Sequence, residues 1–171
     1  MNSFRVMGID LSYRATGVAV LDARDGVSEL MLTTCLKNKE LGTGFNSFRS
    51  AAHSMKVNTL DRIKALRVLY EPDVVIVEVP CFTQSAKSAI AIGMCWGNVA
   101  HIRAAILIEP SVLKKWSGSK KGDKKLKVKD KVLERVTLRP SDASDDNIVD
   151  AIGIGFMFID LVRTVNYETI K

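Results

Sequence analysis

Phe4-Arg5-Val6-Met7-Gly8-Ile9-Asp10, Thr16-Gly17-Val18-Ala19-Val20-Leu21-Asp22 and Val27-Ser28-Glu29-Leu30-Met31-Leu32-Thr33-Thr34-Cys35 are three strand-like runs in immediate succession. Ser12-Tyr13-Arg14-Ala15, after Leu11, and Ala23-Arg24-Asp25-Gly26 separate the extended runs, and both read as turns. Runs rich in β-branched and apolar residues, joined by pieces too short for a crossover helix, predict an antiparallel meander.

Beyond the meander the pattern changes period. From Asn46 to Tyr70 the positions Ala51, Met55, Ile63, Leu66 and Tyr70 recur near helical spacing, with Asp61, Arg62 and Arg67 turned outward and Pro72 closing the element. Asp73 to Val79 then reads as a fully buried strand, uninterrupted until Glu78. Ser85 to Ala105 is helical, with Gly93 and Gly97 four apart on one face where another backbone can approach; the Ile106–Glu109 strand follows. Pro110 opens a short helix to Trp116, Gly118–Gly122 is a basic loop, and Lys124–Arg135 is helical again. A nearly all-apolar helix from about Asp145 to Thr164 ends the pattern. The expected fold is a mixed α/β sheet layered with helices.

Length and composition narrow the class. The 171 residues suit one domain over 1–171, and 47% apolar with 26% charged residues excludes disordered and fibrous chains. Cys35, Cys81 and Cys95 match no metal or redox spacing, so reduced thiols and a cytosolic setting are expected. The first apolar stretch is broken by Arg5 and Asp10, unlike a signal peptide, and Ala151–Ile159 is too short to span a bilayer. Of the net charge of +6, the segment Lys114–Lys131 holds nine lysines against Asp123 and Asp130, that is 9 − 2 = +7, leaving about −1 elsewhere. One cationic segment on a near-neutral body suits a polyanion; a solvated lysine-rich loop is the competing reading.

Four carboxylates stand where a lone charge is unfavourable. Asp10 and Glu78 end buried strands, and Asp146 and Asp150 lie in the first turns of a buried helix. An isolated desolvated carboxylate protonates or finds a partner, and few basic residues lie in these apolar segments. A divalent metal with hard oxygen ligands, Mg²⁺ or Mn²⁺, answers that need. Asp146 and Asp150 share a face at i, i+4, and Asn147 borders it; Asp145 lies one step round. Helix capping by Asp145 or Asp146 is the structural alternative.

These residues carry a family resemblance. Gly8-Ile9-Asp10-Leu11-Ser12 followed by Thr16-Gly17-Val18-Ala19, then Val75-Ile76-Val77-Glu78, then Ser88-Ala89, Gly93 and Gly97, then Asp146-Asn147-Ile148-Val149-Asp150-Ala151, resemble in order and spacing the RuvC family of Holliday junction resolvases, within the retroviral-integrase and ribonuclease H superfamily. Pro110-Ser111-Val112-Leu113-Lys114-Lys115 with Gly118, Gly122 and Lys124-Lys125 resembles the family's lysine-containing loop after one inserted residue. The resemblance implies a ribonuclease H-like, five-stranded mixed sheet: three antiparallel strands, then parallel ones, flanked by helices. It implies a structure-selective endonuclease acting on four-way DNA junctions, with Asp10, Glu78, Asp146 and Asp150 catalytic. Those residues and Asn147 would hold two Mg²⁺ ions, replaceable by Mn²⁺, roughly 3.5–4 Å apart.

It further implies DNA contacts from Lys114, Lys115, Lys120, Lys121, Lys124, Lys125 and Lys127, ends bearing 5′-phosphate and 3′-hydroxyl, and a C2 homodimer in the bacterial or phage-infected cytoplasm. Two departures resemble phage-encoded relatives. Asn147 stands where the family commonly has Asp or His. Cys81 stands at the family's wedge-like aromatic, with Phe82 next to it as the candidate for the junction centre. Gly93 and Gly97 suit the dimer interface or packing on the protomer's own sheet. Broader fork cleavage and a non-catalytic DNA-binding module of this fold remain alternatives; an actin-like ATPase is disfavoured by length.

Overall fold

The structure is a computed structural model and describes residues 3–38, 45–80, 86–119 and 126–169. β1 (Phe4–Asp10), β2 (Ala15–Arg24) and β3 (Val27–Lys37) form the meander, joined between β2 and β3 by a tight turn with Asp25 and Gly26 both at positive φ. That turn demands left-handed backbone at both central positions, which explains Asp-Gly there. β4 (Val74–Glu78) and β5 (Ala105–Ile108) complete a sheet of order β3-β2-β1-β4-β5, with β1, β4 and β5 parallel and the β1–β2 and β2–β3 pairs antiparallel. This is the mixed α/β sheet that the residue pattern predicts, with the five strands that the resemblance implies.

Helices cover both faces because the strands alternate two sets of apolar side chains. Met7, Ile9, Val18, Val20, Val75 and Val77 face α1 (Phe45–Met55), α2 (Asp61–Tyr70) and α3 (Ala86–Val99), which contribute Ala51, Met55, Ile63, Cys95 and Val99. Val6, Ala19, Leu21 and Ile76 face α4 (Pro110–Ser117), α5 (Leu126–Leu133) and α7 (Asp146–Thr169), whose Leu113, Val132, Ile152 and Ile159 fill the second core. The short α6 (Pro140–Ala143) is tied to β3 by Thr33 Oγ1 donating to Asp142 Oδ2 at 2.8 Å.

Three boundaries differ from the sequence reading. The helix expected over 46–70 is interrupted by a π-helical turn at Lys56–Leu60, where Thr59 is fully buried and bonds to Asn38 at 3.0 Å. α3 stops at Val99, followed by a turn before β5, and α7 runs to Thr169. Gly93 and Gly97 are exposed, and an added Cβ at either would meet no described atom within 4 Å, so neither packs on the described part of the protomer's own sheet. Among the described residues no helix is long and apolar enough to cross a membrane.

Candidate functional site

Sheet register builds the site. Cys35, Gly17, Asp10, Glu78 and Ile108 stand abreast on β3, β2, β1, β4 and β5. Directly paired residues point to one face of a sheet, so Asp10 and Glu78 project together, on the face that carries Val6, Ala19 and Ile76 toward α7. They also mark the C-terminal ends of two adjacent parallel strands, the usual edge for a site in an open α/β sheet. Leu11 N–H donates to the Glu78 carbonyl at 3.2 Å and carries the ladder one step past the acids.

Two glycines bring α7 down onto that row. A Cβ at Gly17 would lie 1.9 Å from the Asn147 carbonyl oxygen, and one at Gly8 would lie 2.2 Å from that of Ala151. The first turns of α7 therefore rest directly on the backbone of β2 and β1. Asp150 sits on the stretch between these two touch points and is 7% exposed. Asp146, the first helical residue, is exposed, and Asn147 is half-buried. The i, i+4 spacing is thus split by burial: Asp150 is covered and Asp146 projects.

Asp145 is the helix cap. Its Oδ1 accepts from the N–H groups of Asn147 at 3.0 Å and Ile148 at 3.4 Å, and from Asn147 Nδ2 at 3.0 Å. The Cys35 thiol adds a hydrogen bond from β3. Burial alone would raise the Asp145 carboxyl, but the bonds from Asn147, Cys35 and Ile148 outweigh it and hold it below its ordinary value. Burial first, and then the bond to Asp145, push the Cys35 thiol up to about 11, leaving it a neutral donor. Sequence reading treats Cys35 only as a reduced thiol; its place beside Gly17 emerges from register.

The donor chemistry of Asp10, Glu78 and Asp150 fits a divalent cation, since all are carboxylates and two stand abreast under the helix that carries the third. Among the described residues, no group of three acidic, His or Cys side chains is already clustered to hold an ion. Lys114 and Lys115 are exposed in the last turn of α4, and Lys127 is exposed at the start of α5, donating to the Gly118 carbonyl at 3.2 Å. Lys120, Lys121, Lys124, Lys125, Cys81 and Phe82 lie outside the described residues.

The described residues on either side of the lysine-rich segment, Trp116 of α4 and Arg135 just past α5, are clamped to α7. Trp116 Nε1 donates to Asp160 Oδ2 at 2.9 Å, Arg135 grips both Asp160 oxygens at 2.8 and 2.9 Å, and Lys131 Nζ stands 4.2 Å over the Trp116 ring. Val128 meets the Gly153 position while Arg135 meets Asp160, so α5 runs in the same direction as α7 and begins toward the Asp150 end. Burial would raise the Asp160 carboxyl, but the bonds from Arg135 and Trp116 outweigh it and lower it. A carboxyl lowered in the folded state stabilises above its unfolded pKa, and that contribution disappears as pH falls through the folded pKa. Asp160→Asn should therefore cost on the order of 1 kcal/mol at pH 7, and the gap to wild type should be smaller at about pH 3, below the ordinary aspartate value of about 3.9. Urea midpoints at the two pH values check this, and a gap of constant size would remove Asp160 from the account.

The architecture defines a class first: an α/β fold with paired carboxylates abreast at the C-terminal ends of adjacent parallel strands and a glycine-seated helix above them. Comparison with solved structures then shows where the fold recurs. The chain is similar to T. thermophilus RuvC in complex with Holliday junction substrate, with a TM-score of 0.73 at 18% identity over 94% of this chain and 96% of that one. It is similar to the yeast mitochondrial Holliday junction resolvase Ydc2, with a TM-score of 0.60 at 13% identity over 89% and 77%. The fowlpox virus resolvase in complex with Holliday junction DNA gives a TM-score of 0.53 at 14% identity over 92% and 98%. No family model and no curated protein sequence matches the chain.

Proposed function

We propose that the chain is a divalent-metal-dependent endonuclease that resolves four-way DNA junctions as a homodimer. The observation that supports this best is the acid row: Asp10 and Glu78 abreast on adjacent strands, beneath the helix that carries buried Asp150, in a chain with the fold of junction resolvases. Asp10, Glu78 and Asp150 would hold Mg²⁺ or Mn²⁺, with Asp146 or Asn147 assisting from the start of α7. Two such ions, when bound, supply an activated water and neutralise charge on the attacking and leaving oxygens of a phosphodiester.

The remaining work falls to the chain. Asp145 and Cys35 hold the α7 terminus, and Trp116, Arg135 and Asp160 hold α4 and α5, which flank the lysine-rich segment, against α7. Lys114, Lys115 and Lys127, with Lys120, Lys121, Lys124 and Lys125 between them, would line the DNA backbone, and Phe82 would act at the junction centre. A four-way junction has near two-fold symmetry and needs two matched nicks, which a C2 dimer provides. The exposed face of α3, with Ile90, Gly93, Trp96 and Gly97, is the surface proposed for the second copy.

Incubation of a labelled synthetic four-way junction with Mg²⁺ or Mn²⁺, beside linear duplex and a replication fork, tests the proposal. Paired symmetric nicks confined to the junction, with 5′-phosphate ends, are expected. Equal cutting of linear duplex would make the chain a general nuclease, and binding without cutting a non-catalytic module. Neutralising Lys114, Lys115, Lys124 and Lys125 to Gln should weaken junction binding and lower its salt slope by roughly 0.9 per lost phosphate contact. Stability should stay within about ±0.5 kcal/mol. Of the four, Lys125 should also lower the rate at saturating protein, by stabilising charge in the transition state. Unchanged affinity, slope and rate in the quadruple variant would place the DNA elsewhere.

A further inference from the structure

The β1–β2 loop is braced far more heavily than its length requires. Ser12 Oγ donates to the Ala15 carbonyl at 2.6 Å and accepts from its N–H at 3.3 Å; Thr16 Oγ1 donates to the Ser12 carbonyl at 3.1 Å. Just past β3, Asn38 donates through its backbone N–H to the Arg14 carbonyl at 2.9 Å and through Nδ2 to the Tyr13 carbonyl at 3.0 Å. Thr59, on the π-helical turn, holds the Asn38 side chain in turn. Leu11, Tyr13 and Thr16 are buried, and Ser12 and Ala15 are partly so. Arg14 is the one exposed side chain between Asp10 and Val18.

The loop lies immediately past the acid row, and its brace therefore fixes where one exposed cation stands. Lys37 joins it. Lys37 pairs with Ala15, is exposed, and lies two residues beyond Cys35 on the same face of β3, the face of Asp10 and Glu78. Lys37 belongs to the β3 end of the row and Arg14 to the loop between β1 and β2, whereas α4 with Lys114 and Lys115 follows β5 and packs against α7 through Leu113 and Trp116.

We propose that Arg14 and Lys37 form a second phosphate-binding point, gripping the nucleic-acid backbone across the acid row from the side opposite the lysine-rich segment. This rests on the junction-nuclease reading above and extends it. The guanidinium suits a phosphate because its fork donates two parallel hydrogen bonds, and a loop fixed by hydrogen bonds loses little conformational freedom on binding. The contact is to backbone, so it should serve any DNA strand laid over the site.

The test measures binding of a fluorescent four-way junction, without divalent cation, across 50–200 mM salt for wild type, Arg14→Gln, Lys37→Gln, the double variant and the control Arg62→Gln. Arg62 is an exposed cation on α2, which packs on the other face of the sheet. The double variant should bind roughly tenfold more weakly, with a salt slope reduced by about 1.8, since each lost phosphate contact removes about 0.9. Linear duplex should show the same loss of slope. Arg62→Gln should match wild type, and all variants should melt at the wild-type temperature. If the double variant keeps wild-type affinity and slope while its cleavage reaches half-maximum at lower Mg²⁺, Arg14 and Lys37 merely neutralise the carboxylates and the proposal is overturned. Unchanged binding and unchanged metal dependence would overturn it equally. Failure of wild type to bind or cut junctions would instead refute the nuclease reading, which the wild-type arm reports separately.

Discussion

Asp10→Asn, Glu78→Gln and Asp150→Asn should each lower junction cleavage by roughly a thousandfold or more while junction binding holds or tightens. The size follows from what these groups would hold: metal ions contribute several kcal/mol of charge stabilisation to phosphodiester cleavage, and each 1.36 kcal/mol is about tenfold in rate. The separation of cleavage from binding follows from charge. Each substitution removes a negative charge from the surface that the phosphate backbone would approach and leaves every lysine in place, so the electrostatic part of binding is kept or improved. Asp146→Asn probes the helix start. Because Asp146 is exposed beside the Asp145 cap, a purely electrostatic role at the helix N-terminus would cost no more than about 1 kcal/mol of stability, with cleavage intact; a steep loss of cleavage would make it a ligand. Single-turnover cleavage and junction binding, measured on the same preparations, decide the matter. Cleavage within tenfold of wild type in Asp10→Asn, Glu78→Gln or Asp150→Asn, or binding lost in all three, would end this division of labour.

Much of the fold is legible in the chain because its cues are local. The three N-terminal runs alternate or stay apolar over strand lengths, Asp25-Gly26 supplies the hairpin turn, and Pro72 and Pro110 mark where helical pattern stops and starts. The π-helical turn at Lys56–Leu60 is not legible, since it accompanies the Thr59–Asn38 bond across 21 residues. Within the site, the anomalous placement of Asp10, Glu78 and Asp150 can be read from their apolar neighbours. What cannot be read is register. Nothing in the residue pattern says that Asp10 stands opposite Glu78, or that Cys35 completes the same row and donates a hydrogen bond to the Asp145 cap. The helical spacing of Asp146 and Asp150 is equally blind to where the sheet ends, and it is that edge which leaves one exposed and the other covered. Arg14 and Lys37 escape notice for a related reason. Each is a single cation far in sequence from the lysine run, and only the β2–β3 ladder brings them together.

Gly17→Ala should be the most damaging Gly→Ala change among the described glycines, although Gly17 bears no side chain and no charge. The added Cβ would stand 1.9 Å from the Asn147 carbonyl oxygen, 2.3 Å from its carbon and 3.0 Å from the Ile148 nitrogen. All three are backbone atoms at the capped start of α7, so no rotamer change relieves the contact and the helix end itself must move. α7 is anchored beyond that point by Ile148, Ala151, Ile152, Ile154 and Ile159 in a close-packed core, and such cores resist displacement. Inserting a methyl into packed structure typically costs about 1–3 kcal/mol, and this backbone contact should reach at least ~3 kcal/mol. Protein that still folds should cut poorly, because moving the turn that carries Asp150 by about 1 Å off the Asp10–Glu78 row is enough to lose on the order of a hundredfold in rate. Gly153→Ala provides the comparison: its Cβ would meet Val128 Cγ1 at 3.0 Å and Leu113 Cδ1 at 3.3 Å. Those are side-chain ends that can rotate aside, so the cost should stay near 1 kcal/mol, with cleavage close to wild type. Urea midpoints together with single-turnover rates separate the two substitutions. Equal stability and equal cleavage in both would mean that α7 is not seated on the β2 backbone and that Asp150 owes its position to something other than Gly17.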